Sequence, residues 1–112
     1  MKPFDVFFWQ PPGWPEPHPC VVISHVSRAE NKDPVEVLMC SSKRATRSAR
    51  PNEVILDAAD AMDWPTLCKC DLIHTVPKAE LKRFCGTVSR SRRQVLIRTL
   101  IASHGWPEVL AS

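Results

Sequence analysis

The chain has 112 residues, the length of a typical domain, so we expect a single domain over residues 1–112. Its hydrophobic fraction of 44% and charged fraction of 24% are ordinary for a globular protein, which excludes a disordered or fibrous chain. No run approaches the roughly 18 apolar residues of a membrane helix. Asp5 interrupts the apolar N-terminal stretch that a signal peptide would need. We therefore expect a cytoplasmic protein with no membrane contact.

The five cysteines are an odd number, which argues against a closed disulfide framework. Cys68 and Cys70 are one residue apart, and the other three stand alone. Zinc sites usually combine closely spaced pairs, and activated redox thiols lie in CxxC motifs. Because residues i and i+2 of a strand share a face, Cys68 and Cys70 are best interpreted as core residues. We expect free thiols, no metal and no cofactor, and a zinc or redox protein is the weakest alternative.

Five segments rich in β-branched and aromatic residues predict strands. They are Asp5–Gln10, Cys20–Ser24, Val35–Ser41, Asn52–Leu56 and Leu67–Val76. Residues 11–19, PPGWPEPHP, contain five prolines, which exclude a helix and predict a stiff exposed loop. Residues 42–50, SKRATRSAR, contain four basic and no large apolar side chains and predict an exposed basic loop.

The C-terminal part changes to a helical period. Ser89 is a suitable N-cap for a helix that runs to about Ser103. Its apolar stripe would consist of Val95, Leu96, Thr99 and Leu100, and Gly105 and Pro107 would end it. A shorter helical turn is predicted over Lys78–Arg83. Short strands followed by one amphipathic helix predict a mainly β (α+β) fold: a small bent antiparallel sheet or SH3-like partial barrel with a C-terminal helix.

The order of these segments resembles the PemK/MazF family of toxin endoribonucleases from type II toxin–antitoxin systems, over Phe4 to about Ser103. His18-Pro19 followed by CVVIS resembles the family's "RPxVVxS" strand, and VLMCSSKR resembles the strand that ends in a hydroxyl-rich turn. NEVIL is similar to "xEVxL", LCKCDLIHTVPKAEL to "RCDQxRTID", and GTVSRSRRQ to the start of the C-terminal helix. The resemblance implies a CcdB/MazF-like fold.

The resemblance also implies site residues. Asp71 falls at the position of the general base, and Lys69 at that of an arginine on the same strand. His18 replaces an arginine that many members carry. Histidine titrates near neutral pH, so His18 could act as acid or base, or it could mark lost activity. Ser41 and Ser42 replace the family's threonines and retain the hydroxyls for phosphate contact. If Cys68 and Cys70 face the core, Lys69 and Asp71 point to the other side of the strand.

RNA contacts are expected on both sides of this site. Lys43 and Arg44 follow the serines and could attract phosphate, and Trp14 in the proline-rich loop could stack on an unpaired base. The partners implied by the resemblance are single-stranded RNA, an acidic antitoxin that the arginines of the C-terminal helix could contact, and a second copy in a homodimer.

Two classes of function remain after this comparison. The first is a metal-independent endoribonuclease that cleaves single-stranded RNA through a 2′,3′-cyclic phosphate; Asp71, Lys69 and the two serines favour it. The second is a non-catalytic binding module of the same fold, either a degenerate toxin or a relative of the CcdB toxins, which act by binding gyrase. The absence of arginine at position 18 favours the second class.

Overall fold

The computed structural model describes residues 1–42 and 48–111. The strands of this part are β1 (Asp5–Trp9), β2 (His18–Val22), β3 (Val35–Ser42), β4 (Glu53–Leu56), β5 (Thr66–Val76) and β6 (Lys82–Thr87). The helices are α1 (Val26–Asn31), α2 (Arg90–Ser103) and α3 (Trp106–Ala111). Short 3₁₀ turns cover Ala58–Asp60 and Lys78–Glu80. None of the helices in these ranges is long and apolar enough to cross a membrane.

The strands form one antiparallel sheet in the order β4–β5–β3–β2–β1–β6. The predicted mainly β fold, an antiparallel sheet with a C-terminal helix, is confirmed. All five predicted strands are present, and each begins and ends within two residues of its predicted bounds. The β-branched runs and the flanking proline and polar segments were therefore sufficient to locate them.

The predicted helical turn over Lys78–Arg83 is wrong in its second half, because Lys82 begins β6. This strand lies at the edge of the sheet and pairs with β1 through a bulge, which sets Phe8 opposite Lys82 and Val6 opposite Gly86. The first three residues of β6 are exposed. An exposed edge strand lacks the alternation of apolar and polar residues that identifies a strand from sequence.

Both faces of the sheet carry apolar clusters, and β3 contributes to each in alternation. Leu38 and Cys40 pack in the cluster that contains Leu96 of α2. Val37 and Met39 pack in a second cluster with Trp9. We call the first side the helix face and the second side the far face. A strand that is buried on both faces has a fixed register, since a slip by one residue would exchange the two sets of side chains.

Helix α2 is joined to the sheet by the fully buried carboxylate of Asp60. Asp60 Oδ1 accepts hydrogen bonds from the backbone N–H (3.0 Å) and the hydroxyl (2.6 Å) of Ser89, directly before the helix. Its Oδ2 accepts from the N–H of Asp57 (3.1 Å) and lies 3.8 Å from Arg92 Nε. The positive end of the helix dipole favours this negative charge. The connection between β4 and β5 is thereby fixed to the start of α2.

The prediction for α2 is correct in its bounds and partly wrong in its contacts. Leu96 and Leu100 are buried, but Val95 is 44% exposed. Ser89 is the N-cap residue, yet its hydroxyl makes no hydrogen bond to the helix and donates to Asp60 instead. The apolar face of the helix is therefore shifted from Val95 to Ile97, which packs against the core cluster, and the start of the helix is held by a carboxylate from another element.

The predicted end of α2 is confirmed at Gly105, which has a left-handed φ of +64° and follows the C-cap residue His104. Pro107 does not only end a helix. It lies in the first turn of α3, where its missing N–H would have no partner within the helix.

Replacement of Asp60 by alanine should lower the free energy of unfolding by about 3 kcal/mol, because it leaves the Ser89 groups and the Arg92 charge without their buried partner. Urea denaturation measures this change. Asp63→Ala is the matched control: Asp63 forms an exposed ion pair with Arg83 at 3.1 Å, which should contribute less than about 1 kcal/mol. Equal losses for the two variants would contradict the assigned role of Asp60.

Candidate functional site

His18 and Ser41 lie at neighbouring strand ends. His18 is the first residue of β2, and Ser41 is the penultimate residue of β3. The β2–β3 register pairs Cys20 with Met39, each two residues from His18 and Ser41, and His18 itself is paired with Trp9 of β1. On its other side, Ser41 is paired with Leu67 of β5. The two residues therefore lie at the same end of the neighbouring strands β2 and β3.

Lys69 and Asp71 lie in a bulge of β5. The register pairs Leu38 with Ile73 and Cys40 with Cys68, so one residue of β3 faces the four residues 69–72 of β5. On the other side β5 remains bonded to β4, since the N–H of Cys70 donates to the carbonyl of Asn52 at 2.9 Å. Bulges of this kind redirect side chains and are common beside active sites.

The predicted phase of β5 is confirmed. Cys68 and Cys70 are fully buried in the cluster on the helix face, whereas Lys69 and Asp71 are exposed. Burial of the two cysteines thus fixes the direction in which the two charged side chains leave the strand.

The alternation also tells which predicted residues share a face. Ser41 has the same phase as Met39, and His18 the same phase as Cys20; both of these buried residues belong to the far-face cluster. Lys69 has the opposite phase to Cys68 and therefore also leaves toward the far face. Asp71 directly follows Cys70, which is buried in the helix-face cluster, and is itself exposed. The structure thus places His18, Ser41, Lys69 and Asp71 on the side of the sheet away from α2.

Ser42 is not part of that group. It is paired with Thr66 and alternates with Ser41, so its side chain lies on the opposite side of β3. Its hydroxyl accepts a hydrogen bond from the indole Nε1–H of Trp64 at 2.8 Å. The two serines were predicted to contact phosphate together, but their side chains lie on opposite sides of β3.

Trp14 lies beside His18. The two rings meet edge to face with their centroids 5.0 Å apart, and Trp14 is 44% exposed. The carbonyl of Trp14 accepts a hydrogen bond from Gln10 Nε2 at 2.8 Å, and its N–H donates to the carbonyl of Pro11 at 3.0 Å. The proline-rich loop is thus folded back on itself so that the tryptophan touches the predicted catalytic histidine.

Lys43 and Arg44, predicted to attract phosphate, lie outside the described residues, together with positions 45–47. The described chain resumes at Ser48 before β4. The contribution of Lys43 and Arg44 stays a prediction from the sequence.

Sequence reasoning missed two groups near these residues. Glu53 of β4 is paired with Lys69 and is 7% exposed, and its Oε1 accepts a hydrogen bond from the N–H of Arg50 at 2.9 Å. His74 is paired with Val37 on the far face. Both residues lie in segments that resemble family motifs, but only the pairing of strands reveals their neighbours.

His74 also contacts Trp9, with the ring centroids 5.5 Å apart in an edge-to-face arrangement. Burial lowers the pKa of His74, because an apolar environment disfavours the imidazolium. The indole Nε1–H of Trp9 donates to Glu80 Oε1 at 2.9 Å. Trp9, His74 and Glu80 thus connect β1, β5 and the turn that precedes β6 on the far face.

The five cysteines are unpaired; Cys20, Cys40, Cys68 and Cys70 are buried, and Cys85 is partly exposed. Burial raises the pKa of the Cys20 thiol, and hydrogen bonds with the Cys40 and Cys70 thiols together with burial raise that of Cys68. Protonated, buried thiols are poor nucleophiles and poor metal ligands. Among the described residues, no cluster of His, Cys, Asp and Glu could hold a metal ion.

Titration of the reduced, folded protein with a thiol reagent should therefore show one fast thiol, that of Cys85, and four that react only as the protein unfolds. Cys85→Ser should remove the fast phase and leave the other four unchanged. In denaturant all five thiols should react. A second fast thiol in the folded protein would contradict the packing of β5, and fewer than five in denaturant would indicate a disulfide or a bound metal.

Comparison with solved structures identifies the class of this fold. The chain is similar to an endoribonuclease in complex with its cognate antitoxin from a mycobacterial species, with a TM-score of 0.80 and 20% identity over 94% of this chain and 95% of that one. It is also similar to the Mycobacterium tuberculosis toxin MazF-mt6, with a TM-score of 0.75 and 19% identity over 88% and 94% of the two chains. The fold is that of the MazF-like toxins. A search of curated protein sequences finds no match to this chain.

The sequence itself places the chain in a family. The profile of the PemK-like, MazF-like toxins of type II toxin–antitoxin systems matches residues 5–104. The chain belongs to this family and is the toxin of such a system. The resemblance that the order of strands and motifs indicated is confirmed, and the matched range contains every predicted site residue.

Proposed function

We propose that this toxin is an endoribonuclease that cleaves single-stranded RNA without a metal ion and leaves a 2′,3′-cyclic phosphate. The observation that carries the proposal is the bulge of β5, which exposes Lys69 and Asp71 on the sheet face that also carries Ser41 and His18. Acid, base, cation and hydroxyl are the groups that transesterification of RNA requires. The endoribonuclease of similar fold supports RNA cleavage as the activity.

The proposed reaction assigns one role to each of these groups. The carboxylate of Asp71 removes the proton from the 2′-hydroxyl, whose oxygen then attacks the adjacent phosphorus. The ammonium of Lys69 and the hydroxyl of Ser41 stabilise the negative charge that develops on the phosphate oxygens. His18 donates a proton to the 5′-oxygen as the phosphorus–oxygen bond breaks. The products are a cyclic phosphate and a free 5′-hydroxyl, and no step needs a cation from solution.

RNA binding would extend beyond these four groups. Trp14 is half exposed beside His18 and could stack on a base that follows the leaving oxygen. Lys43 and Arg44, which follow β3 in the sequence, would contact the RNA backbone, whereas Ser42 lies on the other side of β3 with its hydroxyl bonded to Trp64. Because RNA carries one negative charge per phosphate, Lys43 and Arg44 should contribute mainly to RNA affinity and to its salt dependence.

Asp71→Asn and His18→Ala should each reduce cleavage of single-stranded RNA by about 10²-fold or more, because each removes a proton-transfer group. Lys69→Ala should have a smaller effect, since lysine acts here as a point charge without the two-pronged geometry of arginine. Cleavage rates in EDTA measure all three effects. Glu30→Gln provides a matched control: it also neutralises an exposed carboxylate, but on α1.

If the wild-type protein binds RNA or an antitoxin but cuts no RNA, the proposed endoribonuclease activity is wrong. The non-catalytic binding module would then remain, with His18 marking the position where catalysis was lost. Cleavage that EDTA abolishes, or that survives Asp71→Asn unchanged, would contradict the proposed mechanism and not the family.

We further propose that the toxin is a homodimer. Exposed apolar side chains on α2, among them Val95 and Ile101, supply surface that a second copy could cover. Light scattering at micromolar concentration should give twice the chain mass of 12.7 kDa. A single-chain mass under these conditions would exclude an RNA groove that two copies build together.

The antitoxin is proposed to be an acidic protein. The chain has a net charge of +3, and the first turns of α2 contain Arg90, Arg92 and Arg93. One similar structure is a complex with a cognate antitoxin. An acidic protein encoded beside the toxin should bind it and suppress RNA cleavage in the cytoplasm, where RNA is available. Calorimetry in increasing salt should show the affinity falling; an affinity independent of salt would contradict a charge-based contact.

A further inference from the structure

A groove of about 340 Å³ lies beside α2 on the helix face, and none of its lining residues takes part in the proposed reaction. This volume falls within the usual range of ligand pockets. The groove is lined by one residue that precedes β1 and four residues of α2: Phe4, Arg93, Gln94, Ile97 and Arg98. The four helical residues are spaced by one, three and one positions, so they share one side of α2.

The floor of the groove is apolar and held in place. Phe4 and Ile97 are partly buried and pack against the core cluster of the helix face. The N–H of Phe4 donates to the carbonyl of Val22 at 2.6 Å, and its carbonyl accepts from the N–H of Val88 at 3.0 Å. These bonds hold Phe4 at a φ of +72°, a conformation that a phenylalanine rarely adopts. The backbone that carries the ring is therefore tied to two other segments.

Two guanidinium groups form the rim of the groove. Arg93 Nε donates to the carbonyl of Val88 at 2.8 Å, and the guanidinium carbon lies 5.3 Å from the centroid of the Phe4 ring. Arg93 is thus already oriented, and its other N–H groups can bind a ligand. Arg98 is exposed, and no carboxylate within residues 1–42 and 48–111 forms an ion pair with it. The groove therefore presents two positive charges above an apolar floor.

The groove lies far from the proposed catalytic groups. Phe4 directly precedes β1, whereas Trp9, the last residue of β1, is paired with His18. Five residues of extended chain separate Phe4 from Trp9, which is about 17 Å along the sheet. The groove also lies on the helix face, and the proposed catalytic side chains project from the far face. A ligand in the groove would therefore leave the catalytic groups accessible.

The chemistry of the groove favours a protein segment over RNA. Guanidinium groups bind both carboxylates and phosphates. The Phe4 ring, however, packs on the core with one part of its surface and carries the Arg93 guanidinium over its face, so it is not open to a stacked base. An aliphatic or aromatic side chain can instead fill the space between Phe4 and Ile97. A segment with one large apolar residue flanked by Asp or Glu would satisfy both the floor and the rim.

We propose that this groove is a docking site for an acidic segment of the antitoxin, with a large apolar side chain on the floor and flanking carboxylates on Arg93 and Arg98. The inference rests on the proposed acidic antitoxin and not on RNA cleavage. Because the groove is remote from the catalytic face, this segment alone does not inhibit the toxin. It acts as a tether that raises the effective concentration of a second, inhibitory part of the antitoxin.

The test uses overlapping peptides of about twelve residues from the acidic protein encoded beside the toxin gene, with binding to the whole toxin chain followed by fluorescence anisotropy. One binding peptide should contain a large apolar residue close to two or more Asp or Glu. Arg98→Glu should weaken its binding by about tenfold or more, because an attractive charge becomes a repulsive one. Arg93→Gln, which removes the second cation, should also weaken it.

Lys82→Glu is the matched control. It changes the net charge of the toxin by the same amount, but Lys82 is exposed on β6, outside the groove. Its effect should stay within about threefold of wild type, since a charge beyond the Debye length is largely screened. Serine in place of the large apolar residue of the peptide should weaken binding by about tenfold, the loss expected when one buried apolar side chain is removed.

A cleavage assay then tests the remote position of the groove. The bound peptide should leave the rate of RNA cleavage unchanged, and Arg98→Glu should cleave RNA like wild type. If the wild-type protein cleaves no RNA, the proposed endoribonuclease activity is wrong, whereas the peptide measurements still decide the docking site.

Three results would overturn the inference. The first is that no peptide of the acidic protein binds. The second is that Arg98→Glu and Lys82→Glu affect every binding peptide equally, which would reduce the contact to net charge. The third is displacement of the Arg98-dependent peptide by an uncleavable 2′-O-methyl RNA, which would assign the groove to nucleic acid.

Discussion

The site depends on one constraint, the burial of Cys68 and Cys70 on the helix face of the sheet. A fully buried thiol cannot exchange places with a lysine or an aspartate, because a charge in that cluster would be desolvated without a partner. The register of β5 is therefore fixed, and Lys69 and Asp71 must leave toward solvent. The bulge at residues 69–72 adds a second consequence, since it frees this segment from β3 while β4 still holds it. Residues 69–72 therefore combine a backbone that β4 holds in place with side chains that are exposed to solvent.

The rest of the fold keeps this strand in place. Leu96 and Leu100 of α2 cover the helix face, and Asp60 fixes the start of α2 to the connection between β4 and β5. On the far face, the cluster around Trp9 supports the same strands from the other side. The proposed catalytic side chains therefore project from a sheet that is packed on both faces. This packing limits the reorganisation that is needed when a phosphate binds.

The positions of five strands and the phase of β5 could be predicted from the sequence because they depend on local patterns: β-branched runs, prolines, and cysteines at i and i+2. The start of β6 could not, since Lys82 and Phe84 of this edge strand are exposed and show no apolar alternation. The different environments of Ser41 and Ser42 could not be predicted either, because the hydrogen-bond partner of Ser42 is Trp64, 22 positions away in the sequence. The motifs indicated the family correctly, whereas the neighbours of each site residue depend on pairings between distant segments.

The most direct test of the central claim uses the substrate. Two single-stranded RNAs should be compared in EDTA, identical except that one carries a 2′-deoxyribose at the nucleotide on the 5′ side of the cleaved bond. If Asp71 activates the 2′-hydroxyl, the RNA should be cut to a 2′,3′-cyclic phosphate, visible by ³¹P NMR, and the deoxy substrate should remain intact. Cleavage of the deoxy substrate at the same bond would show that water and not the 2′-oxygen is the nucleophile, and would contradict the assigned chemistry of β5.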